Sequence, residues 1–136
     1  MNLIALEACF LRYESHVEIY RVAVDPVNYP LGGSREITGP RDYFKPCLFA
    51  AAHGLSFLCP KDFIKNNGRV GTHHVIVWFA DLSGLVPAHI GLNKEGQPVR
   101  WAKSGTDLYD LTLRPSIQEQ NDLCGWHGFV TNGDAT

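Results

Sequence analysis

Thr72-His73-His74-Val75-Ile76-Val77-Trp78-Phe79-Ala80 is the stretch on which the fold turns. Branched and aromatic side chains fill its centre, and no glycine or proline interrupts it, so it reads as the strongest strand in the chain. Working back from it, residues 55–58 form a short apolar strand that runs directly into Cys59-Pro60. One or two helical turns over 61–67 then end at Asn66-Asn67-Gly68. A short helix is expected over 48–53, where Ala50, Ala51 and Ala52 precede Gly54. Further back, 3–13 and 16–25 read as two strands, the second alternating, with Glu14-Ser15 as a tight connection. Between them and the short helix, residues 26–46 carry four prolines and three glycines and read as a long surface loop or an ordered insertion. Working forward, a second loop over 81–98 holds the turn Asn93-Lys94-Glu95-Gly96. Short strands come next over 99–102, 111–113 and 128–131, the last closed by Asn132-Gly133. The sum is a single β-rich α+β domain over 1–136 with long loops.

Composition narrows the class of function more than it names one. The 136 residues are 45% hydrophobic and 19% charged, an ordinary globular balance, with a net charge of −2. That charge gives no broad footprint for nucleic acid or an anionic membrane. The opening Met1-Asn2-Leu3-Ile4-Ala5-Leu6-Glu7 lacks the basic start of a signal peptide, and its apolar run is too short to span a bilayer, so a cytoplasmic location is expected. In a reducing compartment the four cysteines, Cys9, Cys47, Cys59 and Cys124, are each expected to be a buried apolar residue or a metal ligand.

Only Cys124 sits at ligand spacing from a histidine. In Cys124-Gly125-Trp126-His127 the two donors are three residues apart around a glycine, which suits wrapping one ion from a tight turn. Its expected partner is Cys59-Pro60-Lys61-Asp62, a knuckle-like segment in which an aspartate stands where a second thiolate would complete the pattern. The expected site is therefore zinc held by Cys59, Asp62, Cys124 and His127, a zinc-knuckle-like arrangement with an oxygen ligand in place of sulfur. His73 is the alternative fourth ligand. Alternation along the strand puts His73 and His74 on opposite faces, so at most one of them reaches the site.

Five motifs together carry a family resemblance. They are Phe57-Leu58-Cys59-Pro60-Lys61-Asp62-Phe63, Gly71-Thr72-His73, Arg100-Trp101-Ala102, Leu111-Thr112-Leu113-Arg114-Pro115-Ser116-Ile117, and Cys124 through Gly133, reading CGWHGFVTNG. With the opening Leu3-Ile4-Ala5-Leu6-Glu7 and Phe10-Leu11-Arg12-Tyr13-Glu14, they resemble an uncharacterised family of small phage and prophage proteins over nearly the whole chain. In that family the first motif ordinarily reads Cys-Pro-x-Cys, which with Cys-x-x-His implies a Cys3His zinc site. Asp62 departs from the pattern, and the resemblance carries no activity with it.

Catalytic signatures are sparse. His16-Val17-Glu18 followed by Pro46-Cys47 mimics half of a zinc deaminase signature, but Ala50 stands where the last cysteine is needed. There is no glycine-rich phosphate loop, no G-x-S-x-G and no H-E-x-x-H. Ser116 has no base identifiable from spacing, and its place in Arg114-Pro115-Ser116-Ile117 reads as turn formation. Arg100, Trp101, Arg114 and Trp126 are candidates for a binding surface, with Trp126 packing over the metal. The leading expectation is a non-enzymatic zinc-binding protein of phage type. It would act on a host or phage protein partner as a modulator or inhibitor of a host or defence component, in the manner of an anti-CRISPR protein. The alternatives are a zinc-dependent hydrolase with Cys59, Cys124 and His127 as ligands plus a water, and a small-molecule or nucleotide sponge.

Overall fold

In the computed structural model of the chain, residues 1–24, 32–80, 85–119 and 124–136 are described. The fold is β-rich with one α-helix among the described residues. In order, the elements are β1 (Cys9–Ala23), β2 (Ser34–Pro46), a 3-10 turn (Phe49–Ala51), β3 (Gly54–Leu58), α1 (Pro60–Asn66), β4 (His74–Trp78), β5 (Ala102–Ser104), β6 (Thr112–Gln118), β7 (His127–Thr131) and β8 (Asp134–Ala135). No helix of the described residues is long and apolar enough to cross a membrane. The chain divides into two compact units, one of residues 1–12 and 45–136, the other of residues 13–44.

The smaller unit differs from the loop-rich reading of its sequence. Strand β1 runs through Glu14-Ser15 without a turn, and most of the region expected as loop is the strand β2. Of the remainder, 26–31 lie outside the described residues, as do 81–84 of the second expected loop. Polar cross-strand contacts explain why so exposed a pair of strands forms. Tyr13 donates to Asp42 at 2.6 Å, Tyr43 donates to Glu18, Arg21 reaches Ser34 and Glu36, and the Arg41 guanidinium lies 5.1 Å from the Tyr20 ring centre. Prolines 40 and 46 are tolerated because β2 lies at a sheet edge, where a missing N–H costs no ladder bond.

The larger unit holds two sheets. In the first, Cys9–Leu11 at the start of β1 pair antiparallel with β3, and β3 pairs antiparallel with β4 from Gly54↔Trp78 to Leu58↔His74. The second has the order β5-β6-β7-β8, all antiparallel. They meet where the Trp101 N–H donates to the Trp78 carbonyl at 2.9 Å and the Ala80 N–H to the Trp101 carbonyl at 2.8 Å. The core between them is Leu55, Phe57 and Val77 from the first sheet against Leu111, Leu113, Ile117 and Val130 from the second, with Leu3 and Leu6 closing it. These side chains are all but sealed from solvent, and at about 25 cal/mol per Å² of apolar surface their burial is the main stabilising contribution.

Two departures from regular geometry shape the β6–β7 hairpin. Between Leu113↔Val130 and Ile117↔Gly128 the register slips, so that β6 carries three residues against one on β7. A bulge of this kind re-aims side chains, and Ser116 lies within it. Gly128 is required to be glycine because a Cβ there would collide with the Thr136 carbonyl and the Trp126 ring.

Candidate functional site

Cys59 ends β3 and begins α1. Its N–H donates to the His73 carbonyl at 2.9 Å, and its carbonyl receives the Phe63 N–H, which pins the thiol at the junction. Pro60 at the first helical position leaves no N–H wasted there. His73 immediately precedes β4, and the alternation expected from sequence holds: His73 turns inward while His74 is exposed. Glu119 follows β6, and Cys124 stands three residues before β7. The Glu119 N–H donates to the Trp126 carbonyl at 3.0 Å, so that both flanks of this connection are held together.

These four residues converge. One ligand atom from each of Cys59, His73, Glu119 and Cys124 lies within 4.8 Å of the others. The two thiol sulfurs are 3.2 Å apart, Cys124 Sγ is 3.1 Å from Glu119 Oε2 and 3.8 Å from His73 Nε2, and Glu119 Oε1 is 2.5 Å from His73 Nε2. The sulfur–sulfur and sulfur–nitrogen separations come near the edges, about 3.3–3.8 Å, of a tetrahedron whose vertices lie roughly 2.0–2.3 Å from a central ion, while the 2.5 Å His73–Glu119 contact is a hydrogen bond shorter than such an edge. The cluster is thus a site that can hold a metal, with a soft-to-borderline donor set of two sulfurs, one nitrogen and one oxygen. Asp62 accepts at 2.6 Å from the other ring nitrogen of His73, Nδ1. A carboxylate on the far nitrogen fixes the tautomer and orientation of a ligating imidazole.

Crowding of proton-binding groups shifts their titration. The Cys124 thiol is pushed up to about 12 by burial, then by its contacts with Cys59 and Glu119. For His73 burial opposes the charged form, but the hydrogen bonds and charges of Glu119 and Asp62 outweigh it and its pKa is raised. Protons and metal therefore compete for the same atoms.

Each residue singled out from the sequence has a definite place. Cys59 and Cys124 meet as expected of a shared site, His73 joins them, and Asp62 stands behind His73. His127 is not in the cluster. It is exposed at the start of β7, and its Nε2 lies 2.9 Å from Ser116 Oγ. Ser116, which has no histidine at a telling spacing in sequence, thus has an imidazole at its hydroxyl. That imidazole lies eleven residues on, and antiparallel pairing of Gln118 with His127 brings it back across the hairpin. Glu119 escapes sequence reasoning because its neighbourhood has no ligand spacing; only the fold places it opposite Cys59. Arg100 is occupied with backbone carbonyls, of Ile90 at 2.9 Å, Val99 at 2.8 Å and Pro87 at 3.0 Å, and so braces the loop before β5. Trp101 is buried and donates from Nε1 to the Ser116 carbonyl at 3.3 Å. Trp126 is buried edge-on against Phe57, 5.9 Å between ring centres. Arg114 is exposed and lines a shallow cleft with Pro115, Ser116, Phe129 and Thr131, at the outer face of β6 and β7.

Residues 86–136 match the family model described as the bacterial ubiquitination-like system serine protease, BubE. Neither a curated protein nor a solved structure matches the chain. The matched part holds Ser116 and His127 together with Glu119 and Cys124, whereas Cys59, Asp62 and His73 precede it.

Proposed function

We propose that the protein is a serine hydrolase of the peptidase kind, with Ser116 as nucleophile and His127 as its general base. The observation that carries this reading is the 2.9 Å contact between His127 Nε2 and the Oγ of Ser116, a residue that lines an open cleft. The family similarity supports it, since the part of the chain similar to a serine protease family contains both residues. With the ring proton on Nδ1, Nε2 accepts the hydroxyl proton as Oγ attacks a carbonyl carbon. The same imidazolium then protonates the departing amine, leaving an acyl-serine ester. Water, deprotonated by His127, cleaves that ester and returns the proton to Oγ. By the same similarity, the substrate is a protein component of a ubiquitination-like system.

In this reading zinc is held by Cys59, His73, Glu119 and Cys124. Four protein ligands make a closed site, which is the arrangement of structural zinc, so the ion stiffens the fold rather than activating water. Its place supports a positioning role: Glu119 and Cys124 bracket the connection from β6 to β7, and His127 comes three residues after Cys124.

A small fluorophosphonate reagent tests the assignment. It is expected to label Ser116 and no other residue, with labelling lost in Ser116→Ala and reduced at least 100-fold in His127→Ala, as removal of a base from such a pair typically does. Labelling that persists in Ser116→Ala overturns it. The closed ligand set also favours a second reading, the metal-stapled binding protein acting on a host or phage partner. That reading predicts full biological effect from Ser116→Ala.

A further inference from the structure

The ribbon of β1 and β2 has two outer edges, and they are built differently. The Val24 N–H donates to the Gly33 carbonyl, and the Cys47 N–H to the Phe10 carbonyl. These bonds lie fourteen residues apart on both strands, from 10 to 24 and from 33 to 47, so neither strand carries an inserted residue between them. Alternation then turns the backbone groups of the even residues of β1 and the odd residues of β2 toward each other, and those of the rest outward. On β2 the outward positions include Pro40 and Pro46, which have no N–H to offer, and proline so placed closes an edge against further pairing. On β1 the pairing with β3 ends at Leu11, and the outward positions beyond it include Ser15, Val17, Ile19 and Arg21. From Ser15 to Arg21 there is no proline, lysine or glycine, and among the described residues no strand pairs with this edge. Val17 and Ile19, on one face of it, are 75% and 68% exposed. A two-stranded ribbon left in that state is marginal in water, and further strands stabilise it.

The row of side chains along this edge is complementary to the same row running the other way. Outward residues must lie opposite outward residues in such a pair. With a two-fold axis at Val17, Val17 of one copy meets Val17 of the other, Ser15 meets Ile19, and His16 meets Glu18 twice over. The His16–Glu18 pairs fall at non-hydrogen-bonded positions, where opposed side chains lie closest and opposite charges stabilise. Glu18 has an acceptor left for this: Tyr43 and Arg41 both engage its Oε1, and Oε2 has no partner among the described residues. Sliding the copies by two residues sets Glu18 against Glu18 in one direction and Glu14 against Glu18 in the other, which like charges disfavour. In the favoured register Val17 and Ile19 of both copies form one diagonal apolar row on one face. We propose that two copies of this chain pair antiparallel through their β1 edges about Val17, joining two ribbons into one four-stranded sheet.

Light scattering on the intact chain is expected to show a concentration-dependent dimer. Val17→Pro removes an outward N–H and no bond within the ribbon, so it is expected to raise the dissociation constant by about 10-fold or more with the unfolding temperature unchanged. A second measurement holds whether or not that variant folds. His16→Cys chains are mixed with Glu18→Cys chains and oxidised mildly with copper phenanthroline. The two introduced thiols are expected to join in a disulfide between the two kinds of chain, since Cα atoms in such a pair lie about 4.5 Å apart, within the range a disulfide spans. Either variant oxidised alone is expected to form no link between its own introduced thiols, which peptide mass spectrometry reads. A chain that stays monomeric at every concentration up to its solubility overturns the proposal. So does a dimer that Val17→Pro leaves intact, or a mixture in which the introduced thiols do not join.

Discussion

The two clusters of reactive side chains in the larger unit are built on opposite plans. Cys59, His73, Glu119 and Cys124 come from four separate places in the sequence, and each donor atom already faces the other three. Ser116 and His127 come from one hairpin and face each other, and Ser116 opens onto a cleft. A closed set of soft donors can do little beyond holding an ion, whereas an exposed nucleophile with a base can meet a substrate. Under the proposed function the difference assigns the four-residue cluster to the scaffold, and a serine with no sequence signature to the chemistry.

That contrast can be broken most forcefully from the scaffold side. Cys59→Ala, or removal of zinc by a chelator, is expected to destabilise the chain by at least about 5 kcal/mol, because closed zinc sites in small folds contribute on the order of 10–16 kcal/mol. Thermal unfolding with and without chelator, alongside metal analysis, checks it; an unchanged midpoint sinks the staple. Ser116→Ala is the converse. Hydrolysis or labelling is expected to fall by about 1,000-fold or more, while stability stays within about 0.5 kcal/mol, since the side chain is partly exposed and packs against little. A midpoint that drops with activity means Ser116 is structural. Asp62→Ala lies between the two plans, acting on the metal only through His73. It is expected to weaken zinc affinity about 10–100-fold with the ligand set unchanged, measured by competition with a chelator of known affinity. Loss of a whole ligand's worth of coordination in the metal's absorption-edge spectrum would mean that Asp62 ligates directly.

The smallest effect lies away from both clusters. The Asp110 carboxylate accepts from the Thr106 and Asp107 backbone N–H groups at 2.8 and 2.9 Å and from the Thr106 hydroxyl at 2.8 Å. These hydrogen bonds hold its pKa below the ordinary 3.8, the Thr106 backbone N–H first among them. A depressed folded-state pKa contributes stability that is present above the unfolded value and lost as pH falls through the folded one. Asp110→Asn is therefore expected to flatten the stability profile slightly below pH 4. A variant whose acid limb matches the parent chain removes that role.

Much of the strand structure is legible in the sequence because local pattern and burial agree. The alternation around Val75 and Val77 places both inward, and Pro60 together with the left-handed Asn67 bounds α1. The region after residue 31 reads falsely as loop because its prolines and glycines signal turns locally, while a neighbouring strand supplies the polar partners that make β2 possible. For the site, spacing identifies Cys124 and a histidine, and chemical type identifies Cys59. Spacing favours His127, three residues after Cys124, over His73, and it is His73 that joins the cluster. Only the paths of β4 and β7 send His73 inward and His127 out.

Residue order alone thus determined the β-rich class and the strand faces of β3 and β4, because each follows from local periodicity, and it marked Cys59 and Cys124 as candidates for one site by their chemistry. Tertiary structure decided the rest. A four-residue donor set drawn from distant segments, and a serine–histidine contact across one hairpin, are matters of a few ångströms. Those distances are set by sheet register, and at Ser116 by a bulge that slips it.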